Sequence, residues 1–284
     1  MTNDASIDDI SISFQSIPSH IAGKSSYPCT ISKQPMLREV GQGEGTITVI
    51  WETDSYLRNQ HLDWGWEPGR TMYSQPIQST FVGDCNYIHK CEIRYNDEIY
   101  DDIVVSQRKM LFYRVRCGSE ESDLYRYVIP PPTFTFTSKE VPDTRIAIIS
   151  DNQYGSKIMR HLAYDIQNFH PELLLMGGDI VNRGYVLEEW GRFFWYPLEV
   201  AQLSQRTPVV ITRGNHDGQS GYAFAYTAGV RNRDWFAFSH GAVRYIILDS
   251  NADGAIAPQQ TQWLKNELQS KEFDEALFRL VIFS

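Results

Sequence analysis

The residues able to do chemistry in this chain sit in three short polar turns. These are Asp151-Asn152-Gln153, Gly177-Gly178-Asp179-Ile180-Val181-Asn182-Arg183-Gly184 and Arg213-Gly214-Asn215-His216-Asp217. Each follows an apolar run that reads as a buried strand: RIAIIS ending at Ser150, ELLLM ending at Met176 and PVVIT ending at Thr212. Open α/β sheets gather such turns at the C-terminal edge of their strands. Asp151 and Asp179 supply ionised oxygens there, and Gln153 and Asn215 supply amide oxygens. Hard oxygen ligands from separate strand ends, beside His216, are what a divalent-metal site requires. A carboxylate shared by two cations holds them roughly 3.5–4 Å apart, the separation used for in-line displacement at phosphorus. In that chemistry a bridging hydroxide attacks, the metals hold the phosphoryl oxygens, and a nearby histidine protonates the leaving alkoxide.

Turns of this kind need a parallel sheet behind them, and the chain from Arg145 onward has the right rhythm. Arg145–Ser150 reads as a strand, and Ser156–Asn168 as a helix with Ile158, Leu162, Ile166 and Phe169 at helical spacing. Leu173–Met176 is a second strand, Val186–Ser204 a helix interrupted at Pro197, and Val209–Thr212 a third strand. Such alternation predicts βαβ units. Trp235–Phe238 and Val243–Asp249 are expected as a hairpin around His240-Gly241, Pro258–Gln269 as a helix, and Phe278–Phe283 as a further buried strand.

The first 130 residues read as β throughout. Thr46–Thr53 (TITVIWET) alternates as a strand with one buried face. Leu111–Arg116 and Leu124–Ile129 flank a hairpin loop, and Trp64–Gly69 has turn chemistry. A β-sandwich of six or seven strands is the economical fold. Pro130-Pro131-Pro132 then acts as a stiff connector. The expected organisation is a loose arm over 1–25, a β-sandwich over 26–132, a Pro-rich linker over 133–143 and an α/β domain over 144–284.

The ordered series Asp151-x-Gln153, Gly178-Asp179-x-x-Asn182-Arg183-Gly184 and Gly214-Asn215-His216-Asp217 resembles the first three motifs of the calcineurin-like metallophosphoesterases. The β domain and Pro-rich junction resemble the purple acid phosphatases, whose catalytic domain follows a fibronectin-III-like domain. Trp235–Ser250 and Gln262-Trp263-Leu264 are similar to that branch too. The resemblance implies a fibronectin-III-like sandwich followed by a phosphoesterase domain whose β-sandwich core is flanked by helices. It also implies a dinuclear centre of iron, manganese or zinc: Asp151 on the first metal, Asp179 bridging, Asn215 on the second, and Gln153 where the superfamily usually has histidine. His216 becomes the proton donor or phosphate stabiliser, and Arg183 and Arg213 stand where relatives carry phosphate-orienting arginines.

Two departures qualify the family reading. Asn182 replaces the tyrosine that colours purple acid phosphatases. The family's last two motifs, a lone histidine after a strand and Gly-His-x-His, are not found before Ser284, so the domain is expected to be incomplete. Two functional readings therefore stand side by side: phosphoric-ester hydrolysis, or a family member that binds metal or ligand weakly without turnover.

At 284 residues with a net charge of −9, the chain lacks the basic block of a general nucleic-acid binder, and phosphorylated small molecules or phosphoproteins are the expected substrates. No apolar run approaches the roughly 20 residues of a membrane span. No secretory leader is visible in MTNDASIDDISISFQS, which favours the cytoplasm. Cys29, Cys85, Cys91 and Cys117 are then expected as reduced thiols, with Cys85–Cys91 or Cys29–Cys117 as the alternative pairings. The remaining polar residues of note have bland roles: His161, His170 and His240 as turn residues, Asp249 capping a loop, Trp64 and Trp66 packing, Arg231 and Arg233 on a solvated face.

Overall fold

The computed structural model describes residues 29–38, 45–56, 60–68, 70, 73–75, 78–83, 86–95, 109–130, 144–218, 234–251 and 257–284. The expected arm, the Pro-rich linker, Cys85, Arg231 and Arg233 lie outside them.

Nine described strands make up the first part: β1 (Ile31–Arg38), β2 (Thr46–Thr53), β3 (His61–Gly65), β4 (Tyr73–Gln75), β5 (Gln78–Gly83), β6 (Asn86–Arg94), β7 (Lys109–Cys117), β8 (Glu120–Glu121) and β9 (Tyr125–Ile129). That is more than the six or seven expected, because strands as short as β4 and β8 carry no readable alternation. Trp64 and Gly65 finish β3 instead of making a turn; the Trp64 indole is buried in the core. Strands run β1-β2-β6-β5 in one sheet and β4-β3-β7-β8 in the other, with β9 on β7. Leu37, Val49, Trp51 and Ile93 from the first meet Leu62, Leu111, Tyr113 and Tyr127 from the second.

Cys29, just before β1, and Cys117, at the end of β7, form a disulfide with Cα atoms 5.7 Å apart. The expectation of reduced thiols fails here because the two sheets bring together residues 88 positions apart. Cys91 is buried, and burial together with Glu92 pushes its thiol up to about 12.

The second part has three parallel strands, β10 (Ile146–Ile149), β11 (Leu173–Met176) and β12 (Val209–Ile211). One face of β11 packs Leu174 and Met176 against a helical layer containing Met159, Trp190, Phe194 and Trp195. The other packs Leu173 and Leu175 against Phe236, Phe238, Tyr245 and Ile247 of a smaller sheet. Burial on both faces explains the unbroken apolar run. The smaller sheet is β13 (Phe236–His240), β14 (Val243–Ile247) and β15 (Phe278–Ile282), with α4 (Pro258–Glu267) and α5 (Lys271–Glu275) between the last two. β15 was expected to be buried. It pairs with β14 as an edge strand, and Phe278 and Val281 are 55% and 51% exposed.

The helical layer is α1 (Ser156–Phe169) followed by α2 (Leu187–Glu189), a π-helical turn (Trp190–Trp195) and α3 (Tyr196–Val200). Pro197 does not interrupt this run; it lies in the first turn of α3, where proline is tolerated. Pro197 has no N–H to offer the carbonyl four residues back, and that carbonyl, Phe193 O, accepts from the Asn152 side chain at 3.2 Å. The π register suits a sequence that must bury Trp190, Phe194 and Trp195 together.

The two parts share one sheet. β1 lies parallel beside β12 through the pair Arg38–Val209, giving the order β10-β11-β12-β1-β2-β6-β5. Arg38 Nε donates to Val209 O at 2.9 Å, Tyr113 Oη to Gln205 O at 2.8 Å, and Trp195 Nε1 to Gln34 O at 3.1 Å. Met36, Ile50 and Ile88 join the same apolar cluster as Trp195 and Leu198. β2 is therefore buried on both faces, against the expectation of one, because the second part covers the face that alternation assigns to solvent.

Candidate functional site

The three parallel strands end level. Ile149, Met176 and Ile211 are in register, so the turns after them leave from one edge. Gly177 N donates to Ile149 O at 2.8 Å, Thr212 N to Met176 O at 2.9 Å and Asp151 N to Gly178 O at 3.2 Å, which ties the turns together at their base. Asp151 and Asp179 both occupy left-handed backbone, with φ of 59° and 50°. Non-glycine residues in that region carry strain that clusters at functional sites.

Glycines allow the turns to nest. A Cβ on Gly214 would collide with the backbone nitrogen and Oδ1 of Asp179, and one on Gly184 with the carbonyl of Asp217. Gly178 has φ +92°, and a Cβ there would come within 2.8 Å of Gly214 N.

Asp217, fully buried, organises the nest. Its Oδ1 accepts from Ile180 N at 2.8 Å and Val181 N at 3.1 Å, and its Oδ2 from Gly214 N at 2.8 Å. Burial pushes its carboxyl up to about 6, against the pull of these three bonds. His216 N donates to Asp179 Oδ1 at 3.0 Å, and Gly184 N to His216 O at 3.0 Å. The His216 ring holds Nδ1 3.1 Å from Asn182 O. A carbonyl can only accept, so Nδ1 carries the hydrogen and Nε2 is left for other work.

Asp151, Gln153, Asp179, Asn215 and His216 thus lie on turns that share one sheet edge. Asp151 and Asn215 are exposed, and Asp179 and His216 half-buried. The Gln153 amide is buried. In the orientation that satisfies its neighbours, its nitrogen donates to Asp151 O at 3.0 Å and Asp179 O at 2.8 Å, which makes it a cross-tie between two turns. Asn152, absent from the expected set, is a second cross-tie, from Ile180 O at 3.3 Å to the helical layer.

The two arginines go elsewhere. The Arg213 guanidinium is buried: Nη2 lies 2.8 Å from Asp249 Oδ2 and 3.1 Å from Asp234 Oδ2, and Nη1 donates to Gly218 O at 2.9 Å. These bonds fix its place in a buried ion network. Asp249 caps its loop as expected, accepting from Asn251 N at 2.9 Å, and also holds Arg213. Arg183 is exposed and clamped by Glu189, which accepts from its Nε at 2.7 Å and its backbone N at 2.8 Å.

Two carboxylates and an exposed amide at one edge, with both nearby arginines committed to other carboxylates, form a donor set suited to hard cations. Among the described residues no three His, Cys, Asp or Glu side chains cluster as a metal site.

The family model "Calcineurin-like phosphoesterase" matches residues 144–275. A comparison with curated proteins gives no match. Among solved structures, the chain is similar to a purple acid phosphatase, PPD1, from yellow lupin (Lupinus luteus) seeds. The TM-score is 0.69 at 14% identity, covering 89% of this chain and 50% of that one. It is also similar to PhoD, with TM-score 0.58 at 15% identity, covering 91% of this chain and 62% of that one. At these identities the likeness is one of fold, and the chain spans about half to three-fifths of those structures.

Proposed function

With residues 144–275 a calcineurin-like metallophosphoesterase domain, we propose that the protein hydrolyses phosphoric esters at the edge where β10, β11 and β12 end. The observation that carries this reading is the bond from His216 N to Asp179 Oδ1, which joins a proton-handling residue to the central carboxylate. Asp151, Asp179 and Asn215, with Gln153, are the residues that would hold two metal ions. When bound, those ions supply positive charge against the phosphoryl oxygens and an activated water.

The chain's own groups account for the rest. His216 holds its Nδ1–H on Asn182 O, and as the imidazolium, with a hydrogen on each ring nitrogen, it would give the Nε2 proton to the departing alkoxide and return to the neutral Nδ1–H form. Arg183 faces solvent beside the same turns; Glu189 occupies its Nε and Nη2 edge, so a phosphate would be met by the N–H groups that remain, on the Nη1 side. Arg213 and Asp217 are positioning residues. The substrate is a phosphorylated small molecule or a phosphoprotein. Among the described residues no helix is long and apolar enough to cross a membrane. The Cys29–Cys117 disulfide supports an oxidising compartment over the cytoplasm.

The test is hydrolysis of an aryl phosphate by the full chain with Mn²⁺, Fe²⁺ or Zn²⁺. Turnover that disappears on chelation and in Asp179→Ala is the expected result. Undiminished activity in either case overturns the proposal, and stoichiometric metal without turnover favours the binding-only reading.

A further inference from the structure

Beside the site lies a groove of about 380 Å³ lined by Tyr154, Asn182, Arg183, Val186, Glu188, Glu189, Arg192 and Phe193. It is one residue away from the chemistry. Asn182 accepts from the Tyr154 hydroxyl through its side chain and faces His216 Nδ1 through its carbonyl. Tyr154 follows Gln153 in the first turn and is 71% exposed, an aromatic ring held in place by its hydroxyl instead of by burial. Opposite stands the π-helical turn, a feature frequent at functional sites. Its winding sends Trp190, Phe194 and Trp195 into the core and leaves Arg192 and Phe193 at the groove, the Arg192 guanidinium 5.3 Å from the Phe193 ring centre.

The charges in the groove are unequal in availability. Arg183 has its Nε and Nη2 edge occupied by Glu189. Arg192 has no carboxylate within 4 Å among the described residues.

We infer that this groove binds the alcohol portion of the substrate and selects a planar aromatic one, stacked on Tyr154, with Arg192 taking an acceptor on its ring. The inference rests on the proposed phosphoesterase reading and names the substrate class. Aromatic faces and guanidinium planes both prefer flat π-systems, which an aryl ester or a nucleotide presents and a glycerol ester does not.

Equilibrium binding separates this inference from turnover. The full chain, loaded with Mn²⁺, is titrated with phenylphosphonate, 4-carboxyphenylphosphonate, adenosine 5′-monophosphate and methylphosphonate. Phenylphosphonate is expected to bind roughly three- to tenfold tighter than methylphosphonate. The preference should fall to near unity in Tyr154→Ala and survive in Tyr154→Phe, which keeps the ring. Arg192→Ala should remove the added affinity of the carboxyphenyl ligand. An adenosine preference tracking the phenyl one assigns nucleotides to the groove; a phenyl preference alone assigns simple aryl esters. Equal affinity for phenyl- and methylphosphonate, no binding of either, or a preference unchanged in Tyr154→Ala overturns the inference. A chain that binds phenylphosphonate selectively yet turns nothing over overturns the hydrolytic reading instead.

Discussion

Asp179 and His216, on turns that follow different strands, are joined by a 3.0 Å hydrogen bond from the His216 backbone N–H to Asp179 Oδ1. The bond uses main chain on one side, so the ring of His216 stays available and the carboxylate is aimed by the fold. What keeps the two turns at that distance is the set of glycines and the buried Asp217 beneath them.

Asp217→Ala should therefore damage stability more than most single substitutions. It strips the acceptor from three buried N–H groups, each costing about 1–3 kcal/mol when unsatisfied. A loss of about 3–5 kcal/mol in urea unfolding is expected, with Asp217→Asn intermediate because one amide oxygen remains. A loss below about 1 kcal/mol for the alanine variant would refute the organising role.

Gly214→Ala tests the close approach directly. The added methyl would enter the space of Asp179 N and Oδ1. The folded chain should melt lower and lose metal affinity, whereas Gly218→Ala, whose Cβ would have 4.0 Å of clearance from His216 O, should show only the strain of its positive φ. Equal effects at the two positions would contradict the nesting argument.

Asp234 makes stability depend on pH. Burial pushes its carboxyl up to about 6 from an ordinary 3.8; Arg213 opposes this, and Asp249 and Asp217 add to it. The folded state thus holds the proton more tightly than the unfolded chain does. Its contribution is fully present below about pH 4 and is lost as pH rises through about 6. Urea midpoints should show a downward component across that window, and Asp234→Asn, which cannot ionise, should make it shallower while the share of Asp217, also raised to about 6, remains. An unchanged slope in the variant would show that the groups responsible lie elsewhere.

Reduction of Cys29–Cys117 should cost about 2–5 kcal/mol, since the bond closes a long loop between the two sheets. Melting with and without dithiothreitol measures this. Alkylation of the denatured, non-reduced chain should leave both residues unlabelled; labelling of either would show the bond does not form.

The turns at Asp151, Asp179 and Asn215 are legible in the sequence because strand, glycine and acid sit side by side in the chain, and local order is enough to place them. The ion network around Arg213 is not legible, for the opposite reason. The neighbours of Arg213 in the chain point to the site, but its partner Asp249 is 36 residues away and holds the guanidinium in a buried ion pair. Asp217 is visible as a letter beside His216, yet its role depends on N–H groups 36 and 37 positions back. The second buried face of β2 is hidden for a similar reason. Ile50 reads as half of an alternating pattern, and only the packed helical layer reveals its other neighbour. Covalent pairing of Cys29 with Cys117 needs the same long-range information.

The sheet that runs unbroken from β10 to β5 has a consequence for how such a protein changes over time. Met36, Ile50 and Ile88 share an apolar cluster with Trp195 and Leu198, so cutting the chain in the proline stretch would split one core in two. Neither piece is an interchangeable cassette. A substitution in the first part that alters the shape of that shared core would be felt under β12, and so the two parts are constrained to vary together.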